Sequence, residues 1–434
     1  MQKEKIKALS AKYLPEVISI RRYIHANPEL SFEEYNTSKF VASKLREYGV
    51  KTLHTGIAKT GIVAVIEGKG NRNVAAPTAK KIIALRSELD ALPIVEKNDI
   101  EYKSKNYGVM HACGHDANIA SLLGVAKILS ELKHEFEGTV KLIFQPGEEK
   151  LPGGASLMIK EGVLRTHSRD TISHPDSNMS GDRVSTVFAQ HVLPSLDVGK
   201  AGFRYGMYMA SDDELYITVK GKGGHAAMPQ QTINPIEIAS HIIIALKEIV
   251  PPSYRNISSA GKREISDEVV TQDIPTVLSI GKVIAEGATN VIPDEVKLEG
   301  TFRTMNEEWR AQAHEKMIKT AKEIAEKMGG SCEFKIVKGY PFLVNDEETT
   351  KRARKYAEEY LGSENVVDME LRMTADDFAY FSQQVPSCYY RIGIRNEARG
   401  ITSGVHTSTF DIDENAIETG MGLMAWIAVN ELKD

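Results

Sequence analysis

Cysteine is scarce in this sequence of 434 residues, which contains only Cys113, Cys332 and Cys388. An odd and sparse set of cysteines argues against a disulfide framework and is typical of a reducing compartment. Cys332 and Cys388 lie in strand-like segments, where a buried and inert thiol is the usual finding. Cys113 differs because His111 and His115 flank it, and no second cysteine forms a CxxC redox pair with it.

Long hydrophobic runs and an excess of positive charge are also absent. No apolar run approaches the roughly 18 residues that a membrane-spanning helix needs. The net charge of -5 gives no electrostatic basis for binding nucleic acid or an anionic membrane. The charged N-terminus lacks the apolar core of a signal peptide, so we expect a cytoplasmic protein. A hydrophobic share of 42% and a charged share of 26% are typical of a globular protein.

Apolar strand-like segments alternate with amphipathic helical segments over residues 1–205. Strands that are continuously apolar between helices predict an α/β domain with a mainly parallel sheet. Within it, the polar and aperiodic segment 165–186 predicts a long surface loop. Residues 206–340 contain four strands and two helices, which predict a compact α+β unit. Because residues 341–434 resume the α/β pattern, we predict one α/β domain interrupted by an inserted α+β domain.

Two adjacent carboxylates, Glu148 and Glu149, follow a predicted strand in the segment FQPGEEK. Adjacent side chains point in different directions, so one acid can bind a metal while the other transfers a proton. The carboxyl ends of parallel strands are also where α/β sheets place their sites. A solvated acidic turn has the same short pattern, so the pair gains weight only together with other ligand-type residues.

Further residues of metal-binding type lie at the ends of predicted elements. Cys113 and His115 precede an apolar helix. His191 ends the strand STVFAQ, and His406 lies in a small polar loop after the strand CYYRIGI. With Glu149 they form a mixed set of sulfur, nitrogen and oxygen ligands that suits Zn²⁺, Mn²⁺, Co²⁺ or Ni²⁺. Five ligands exceed one tetrahedral structural site, so we predict an open catalytic ion or a pair of ions.

Glycines surround His225 in the segment GKGGHAAMP, just after an alternating strand. The GxGxxG and P-loop spacings are absent, so a phosphate-binding interpretation is weak. A histidine on a glycine-built loop fits a donor that a closing lid brings to the substrate. A plain surface turn is the alternative interpretation of the same segment.

The sequence matches a known family over nearly its whole length. The ordered motifs are RRYIHANPELSFEE (21–34), ALRSELDALPIVE (84–96), MHACGHD (110–116), FQPGEE (144–149), HVLP (191–194), ELYITVKGKGGHAAMP (214–229), ATNVIPDEVKLEGTFRT (288–304), TADDFAYF (374–381) and VHTSTFDIDE (405–414). By these motifs the sequence resembles the metal-dependent amidohydrolases of the aminoacylase and carboxypeptidase type. Within them it is similar to the branch of bacterial hippurate hydrolases and plant auxin-conjugate hydrolases.

The resemblance implies a metallo-exopeptidase-like catalytic domain and an inserted ferredoxin-like lid domain that usually dimerises. It implies that one or two divalent ions are held by Cys113, His115, Glu149, His191 and His406. Glu148 would be the general base and acid, and His225 would stabilise the oxyanion, often in the partner subunit's site.

Further positions correspond to residues that contact the substrate or orient a ligand. Asn290 and Arg303 match lid positions that resemble contacts with a substrate carboxylate. Asp90 corresponds to the acid that orients a metal ligand in related branches. The resemblance therefore implies a preference for substrates that carry a free carboxylate.

Three departures from the usual residues of the family are visible. Asn118 stands where relatives often carry a second histidine, and Glu88 stands where they usually have aspartate. The segment VHTSTF lacks the proline that is common two residues after the ligand histidine. None of these departures removes a proposed ligand or the base.

The expected function is hydrolysis of the amide bond of an N-acyl amino acid by a metal-activated water with Glu148 as general base. A dipeptidase or a deacetylase of N-acetyl diamino acids on the same scaffold is the alternative. A non-catalytic protein that binds metal or a small molecule is a further alternative, but it has no need for Glu148 beside Glu149. The expected partners are an N-acyl amino acid or short peptide as substrate, and a second copy of the chain bound through the lid.

Overall fold

A computed structural model of the chain describes residues 2–69, 81–165, 183–250 and 274–433. The predicted surface loop at 165–186 lies mostly outside the described residues. The α-helices are α1 (Gln2–Ala26), α2 (Tyr35–Glu47), α3 (His115–Leu132), α4 (Gly154–Lys160), α5 (Pro235–Ile249), α6 (Glu307–Lys327), α7 (Glu347–Leu361), α8 (Ala379–Ser382) and α9 (Asn415–Glu431). None of these helices is long and apolar enough to cross a membrane.

The strands follow the apolar and alternating segments of the sequence. They are β1 (Thr52–Ile57), β2 (Gly61–Glu67), β3 (Ile82–Glu88), β4 (Thr139–Gln145), β5 (Thr186–Asp197), β6 (Ala201–Phe203), β7 (Gly206–Met209), β8 (Asp213–Lys220), β9 (Gly224–His225), β10 (Thr276–Ile284), β11 (Val291–Ile292), β12 (Glu295–Thr304), β13 (Ser331–Lys338), β14 (Leu343–Asn345), β15 (Val366–Asp368) and β16 (Ser387–Arg395).

Side-chain caps define where several helices begin. Asn234, Asn306 and Asp346 each accept a hydrogen bond from a backbone N–H in the first turn of α5, α6 and α7. These caps satisfy N–H groups that have no partner within the helix. The first turns of α6 and α7 also carry pairs of glutamates, which interact favourably with the helix dipole.

The chain divides into two compact units. The α/β unit comprises residues 1–208, 344–370 and 377–434, and the α+β unit comprises residues 209–343 and 371–376. The sequence pattern predicted domain boundaries at 205/206 and 340/341. In the structure the boundaries between the two units lie at 208/209 and 343/344. The sequence pattern also assigned residues 371–376 to the α/β domain, although they group with the α+β unit.

The α/β unit is built on an eight-stranded sheet in the order β1-β2-β4-β3-β5-β16-β6-β15. The central strands β4, β3, β5 and β16 are parallel, as predicted, while β2 and β6 are antiparallel to their inner neighbours. Every residue of β3 is buried, as expected for a strand covered on both faces. Side chains of the sheet, including Leu85 and Phe188, form one core with apolar residues of α1, α3 and α9.

The α+β unit has a four-stranded antiparallel sheet in the order β10-β12-β8-β13. Buried and exposed residues alternate along most of β8, as its period-two pattern predicts. Its buried side chains Leu215, Ile217 and Val219 share a core with Ile242 of α5 and Met317 of α6. The four predicted strands and two predicted helices of this segment are all present.

Candidate metal centre

The candidate ligands of the α/β unit lie near the carboxyl ends of its parallel strands, which meet at one edge of the sheet. Glu149 follows β4, and His406 lies in the loop after β16. The prediction that His191 ends its strand is wrong, because β5 continues to Asp197 alongside β16. The pairing of β5 with β3 ends at Ala189, so His191 lies just past that contact.

Cys113 and His115 lie where α3 begins, on either side of Gly114. Gly114 precedes α3 with a φ of 87°, in the left-handed region that favours glycine. A Cβ added at this position would lie 2.3 Å from Cγ2 of Val192. The tight turn that presents these two side chains therefore requires glycine.

The structure brings all five predicted ligands together. Ligand atoms of Cys113, His115 and His191 lie within 4.8 Å of one another. The same limit holds for ligand atoms of Cys113, Glu149 and His406. Cys113 Sγ lies 3.5 Å from His191 Nε2, and His406 Nε2 lies 3.2 Å from Glu149 Oε1.

Glu148 lies beside these groups, next to Glu149 in the sequence. Glu148 is 7% exposed, and its Oε2 lies 3.9 Å from His115 Nε2. Ligand atoms of His115, Glu148 and Glu149 also lie within 4.8 Å of one another. Both acids thus approach His115, and Glu149 also belongs to the group with Cys113 and His406.

The ring contacts of the two buried histidines fit metal binding. Burial lowers the pKa of His115, but the carboxylates of Asp90 and Glu149 outweigh burial and raise it, so only the pKa of His191 favours a neutral ring. Nδ1 of His115 lies 2.9 Å from the backbone oxygen of Asp90, and its Nε2 is buried with no hydrogen-bond partner among the described residues. Nδ1 of His191 lies 2.9 Å from the backbone oxygen of Val192. Burial lowers the pKa of His191 well below its usual value, which keeps the ring neutral. A neutral ring with one nitrogen hydrogen-bonded presents the other nitrogen to a metal.

Asp90 contacts two of the candidate ligands, His115 and Glu149. Its Oδ1 lies 3.3 Å from His115 Nδ1, and its Oδ2 accepts hydrogen bonds from Ser31 Oγ at 2.6 Å and from Glu149 N at 2.9 Å. Burial alone raises the pKa of Asp90, but its bonds with His115 and Ser31 outweigh this effect and lower the pKa to about 2. The ionised Asp90 therefore holds the ring of His115 and the backbone of Glu149, as acids that orient metal ligands do.

His111, the other histidine of the MHACGHD motif, belongs to none of the ligand groups. It is fully buried, and neither ring nitrogen has a hydrogen-bond partner among the described residues. Burial lowers the pKa of His111 to about 3, so its ring is neutral. We assign it to the core.

His225 and Asn290 lie together in the α+β unit. The short strands β9 and β11 pair His225 with Val291, and the backbone oxygen of Asn290 accepts a hydrogen bond of 3.0 Å from Ala226 N. His225 is exposed. The predicted oxyanion-stabilising histidine, His225, and one predicted substrate-binding residue, Asn290, therefore lie in one small ribbon.

Arg303 lies elsewhere in the same unit. Its guanidinium lies 3.0 Å from Asp212 Oδ1 and donates a hydrogen bond of 3.3 Å to the backbone oxygen of Met373. The ribbon adjoins the Glu295 end of β12, whereas Arg303 lies eight residues further along that strand, which corresponds to roughly 26 Å. Arg303 and the ribbon therefore lie at opposite ends of β12.

Some contributors to the site were missed at the sequence level. Arg21 Nε lies 2.7 Å from Asp116 Oδ2, and His25 Nδ1 lies 2.8 Å from the same oxygen, with all three side chains buried. Ser31 and the buried Glu34 hold the loops that carry the acids. All lie within or beside the recognised motifs, but no periodicity shows that a charged residue is buried.

The fold and the cluster define an α/β enzyme whose donor set fits a divalent metal. Residues 84–430 match the profile described as Peptidase family M20/M25/M40. An N-acyl-L-amino acid amidohydrolase of Geobacillus stearothermophilus is 38% identical over 352 residues, which cover 81% of this chain and 84% of that protein. An N-acetylcysteine deacetylase of Bacillus subtilis is 36% identical over 415 residues, which cover 95% of this chain and 96% of that protein.

A solved structure shows the same likeness. The YXEP protein of Bacillus subtilis, described as a dinuclear metal binding peptidase from the M20 family, superposes with a TM-score of 0.76 at 32% identity. The match covers 98% of this chain and 99% of that one. The chain therefore belongs to the peptidase family M20/M25/M40, and it is a hydrolase that acts on amides.

Proposed function

We propose that this protein hydrolyses the amide bond of N-acyl amino acids, with Glu148 as general base. The observation that carries this proposal is the position of Glu148, a nearly buried carboxylate beside the five candidate metal ligands. A protein that only bound metal would have no use for this second acid. The names of the amidohydrolase and deacetylase relatives support the same substrate class.

We propose two ions rather than one, with Cys113 as a shared ligand. One group of ligand atoms is Cys113, His115 and His191, and another is Cys113, Glu149 and His406. The two groups have only the thiol in common. Sulfur and imidazole ligands suit Zn²⁺, Mn²⁺, Co²⁺ or Ni²⁺. Such ions, when bound, supply the Lewis acidity that makes water a nucleophile at neutral pH.

The chain's own residues supply the proton transfers. Glu148 accepts the proton of the attacking water and then returns it to the nitrogen of the leaving amine. His225 donates a hydrogen bond to the oxyanion that develops on the scissile carbonyl. Asn290, next to His225, binds the carboxylate of the substrate. Arg303 binds a substrate carboxylate only if it exchanges its contact with Asp212.

We propose a homodimer formed through the α+β unit. The ribbon with His225 and Asn290 lies roughly 26 Å from the end of β12 that carries Arg303. The ribbon and Arg303 would therefore contact one substrate only if each came from a different chain. Strand β10 is an edge strand, and Val283 on it and Ile244 on α5 are 56% and 64% exposed. An apolar edge of this kind is a ready surface for a second copy. The three free cysteines agree with a cytoplasmic location.

The test combines metal analysis with a hydrolysis screen of the purified protein. N-acetyl amino acids, N-benzoyl amino acids, dipeptides and N-acetyl diamino acids form the arms of the screen. We expect hydrolysis of N-acyl amino acids and loss of activity on chelation. Glu148→Gln should reduce turnover by a factor of about 10² or more, while Glu137→Gln, at an exposed glutamate, should not. Near-full activity of Glu148→Gln would show that the base is wrong, and cleavage of dipeptides alone would favour a dipeptidase.

A further inference from the structure

Glu34 is a fully buried carboxylate that lies between α1 and α2, outside the ligand groups. Its Oε1 accepts hydrogen bonds of 2.8 Å from Gly147 N and of 2.8 Å from Phe32 N. Its Oε2 accepts a hydrogen bond of 2.5 Å from Thr60 Oγ1. Gly147 immediately precedes Glu148, so one of these bonds holds the backbone from which the proposed base projects.

Phe32 packs against the turn that contains Gly147. Its φ is 65°, which is rare for a bulky side chain and persists only where the surroundings determine it. A Cβ added at Gly147 would lie 2.4 Å from Phe32 Cζ, so the ring packs directly against the glycine. The turn before Glu148 is thus held by a hydrogen bond and by packing.

The segment 29–34 also forms hydrogen bonds with the loop that follows β3. Ser31 Oγ donates a hydrogen bond to Asp90 Oδ2, which in turn accepts from Glu149 N. The backbone oxygen of Glu29 accepts a hydrogen bond of 2.8 Å from Ala91 N. The backbone of Glu149 is therefore held by a hydrogen bond to Asp90, in which Glu34 takes no part.

We propose that Glu34 is a positioning residue, which sets the direction of Glu148 through the hydrogen bond to Gly147 N. This inference rests on the proposed role of Glu148 as the base. The hydrogen bond is buried and does not compete with water, and its loss would leave a buried N–H group without this partner. A catalytic group displaced by about 1 Å can lose a factor of about 10² in rate. Because Glu149 keeps its bond to Asp90, loss of Glu34 should impair the base more than the metal ligand.

The main experiment compares Glu34→Ala with Glu33→Ala, which changes the exposed neighbour. With an N-acetyl amino acid as substrate, Glu34→Ala should lower kcat by a factor of about 10 to 10² with little change in KM. The number of bound Co²⁺ ions per chain should stay the same. Glu34→Gln retains one carbonyl oxygen for the two backbone donors, so it should keep most of the wild-type kcat. Glu33→Ala should match the wild type.

A double mutant shows whether Glu34 acts through Glu148. Adding Glu34→Ala to Glu148→Gln should cause no further loss of the residual rate, since the base is already gone. A further loss equal to that in the wild-type background would overturn the inference and indicate general destabilisation. The core variant Val41→Ala, in α2, gives the loss of kcat that lower stability alone produces. An equal loss in Glu34→Ala and Val41→Ala at similar melting temperature would also overturn it.

The remaining outcomes are equally decisive. If Glu34→Ala does not fold, Glu34→Asp replaces it, because a side chain shorter by one methylene cannot keep the bonds to both Gly147 and Thr60. Glu34→Asp should then lose kcat while Glu34→Gln keeps it, and the reverse order contradicts the inference. Full activity of Glu148→Gln would refute the proposed base itself. Full activity of a folded Glu34→Ala, together with inactive Glu148→Gln, would refute only the role of Glu34.

Discussion

Asn118 Nδ2 donates a hydrogen bond of 3.0 Å to Oε2 of Glu88, and both side chains are buried. These are two of the positions at which the resemblance to the family leads us to expect other residues, aspartate at 88 and histidine at 118. Glutamate is one methylene longer than aspartate, and asparagine is shorter than histidine. The two departures therefore compensate each other in length across one contact.

We expect Glu88→Asp and Asn118→His to be coupled. Glu88→Asp alone leaves a gap and an unsatisfied amide, and Asn118→His alone inserts a ring into a packed core. The double variant should recover part of the loss, with a coupling free energy of about 0.5–3 kcal/mol in the stabilising direction. Urea unfolding of the four proteins measures it. Simple addition of the two single losses would show that the contact does not link the two positions.

The two ligand groups predict different metal contents for single variants. His191→Ala should leave about one ion per chain and His406→Ala should leave the other, because each histidine belongs to one group only. Cys113→Ala should reduce the content of both ions, because the thiol belongs to both groups. Metal analysis after dialysis, with Cys388→Ala as the control at a buried thiol outside the groups, measures these contents. Wild-type metal content and activity in Cys113→Ala would exclude the thiol as a ligand.

The proposed role of His225 predicts a larger effect on turnover than on metal binding. Removal of one oxyanion donor typically costs an enzyme a factor of about 10²–10³ in kcat. We expect such a loss in His225→Ala with unchanged metal content, and no loss in His241→Ala at an exposed histidine of α5. Equal losses of turnover and metal would count against the oxyanion role.

Mixed dimers show whether His225 serves the partner's site. A dimer of one His225→Ala chain and one Glu148→Gln chain would contain one intact site if the histidine acts across the interface. Coexpression with two different tags and tandem purification should then recover about half of the wild-type rate, since one of two sites is complete. No recovery in the purified mixed dimer would show that His225 acts within its own chain.

The sequence predicted most of the architecture because that architecture depends on periodicity. The apolar strands β3 and β4 and the alternating strand β8 each show their burial directly in their residue pattern. The five candidate ligands could be predicted because Cys, His and Glu recur at the ends of predicted elements. The contacts of Glu34 and of the Glu88–Asn118 pair were not found, because a buried polar residue is placed by tertiary contacts and leaves no periodic signal.

Lys141 gives the chain a pH-dependent contribution to stability. It lies in β4 with 2% of its surface exposed, and its Nζ donates hydrogen bonds to the backbone oxygens of Val163 and Arg165. Burial lowers the pKa of Lys141 to about 7. In the unfolded chain the amine keeps its proton up to about pH 10. Between these values the unfolded state binds the extra proton, so the free energy of unfolding should rise with pH by up to about 1.4 kcal/mol per unit.

Lys141→Met isolates this contribution. The variant loses the two hydrogen bonds at every pH, so that loss shifts its stability by a constant amount. The difference between wild type and variant should therefore grow in favour of the wild type from pH 7 to pH 9.5, as the folded amine becomes neutral. Urea unfolding across this range measures it, with Lys160→Met as the control at an exposed lysine of α4. A difference that stays constant over these pH values would mean that Lys141 remains charged in the folded protein.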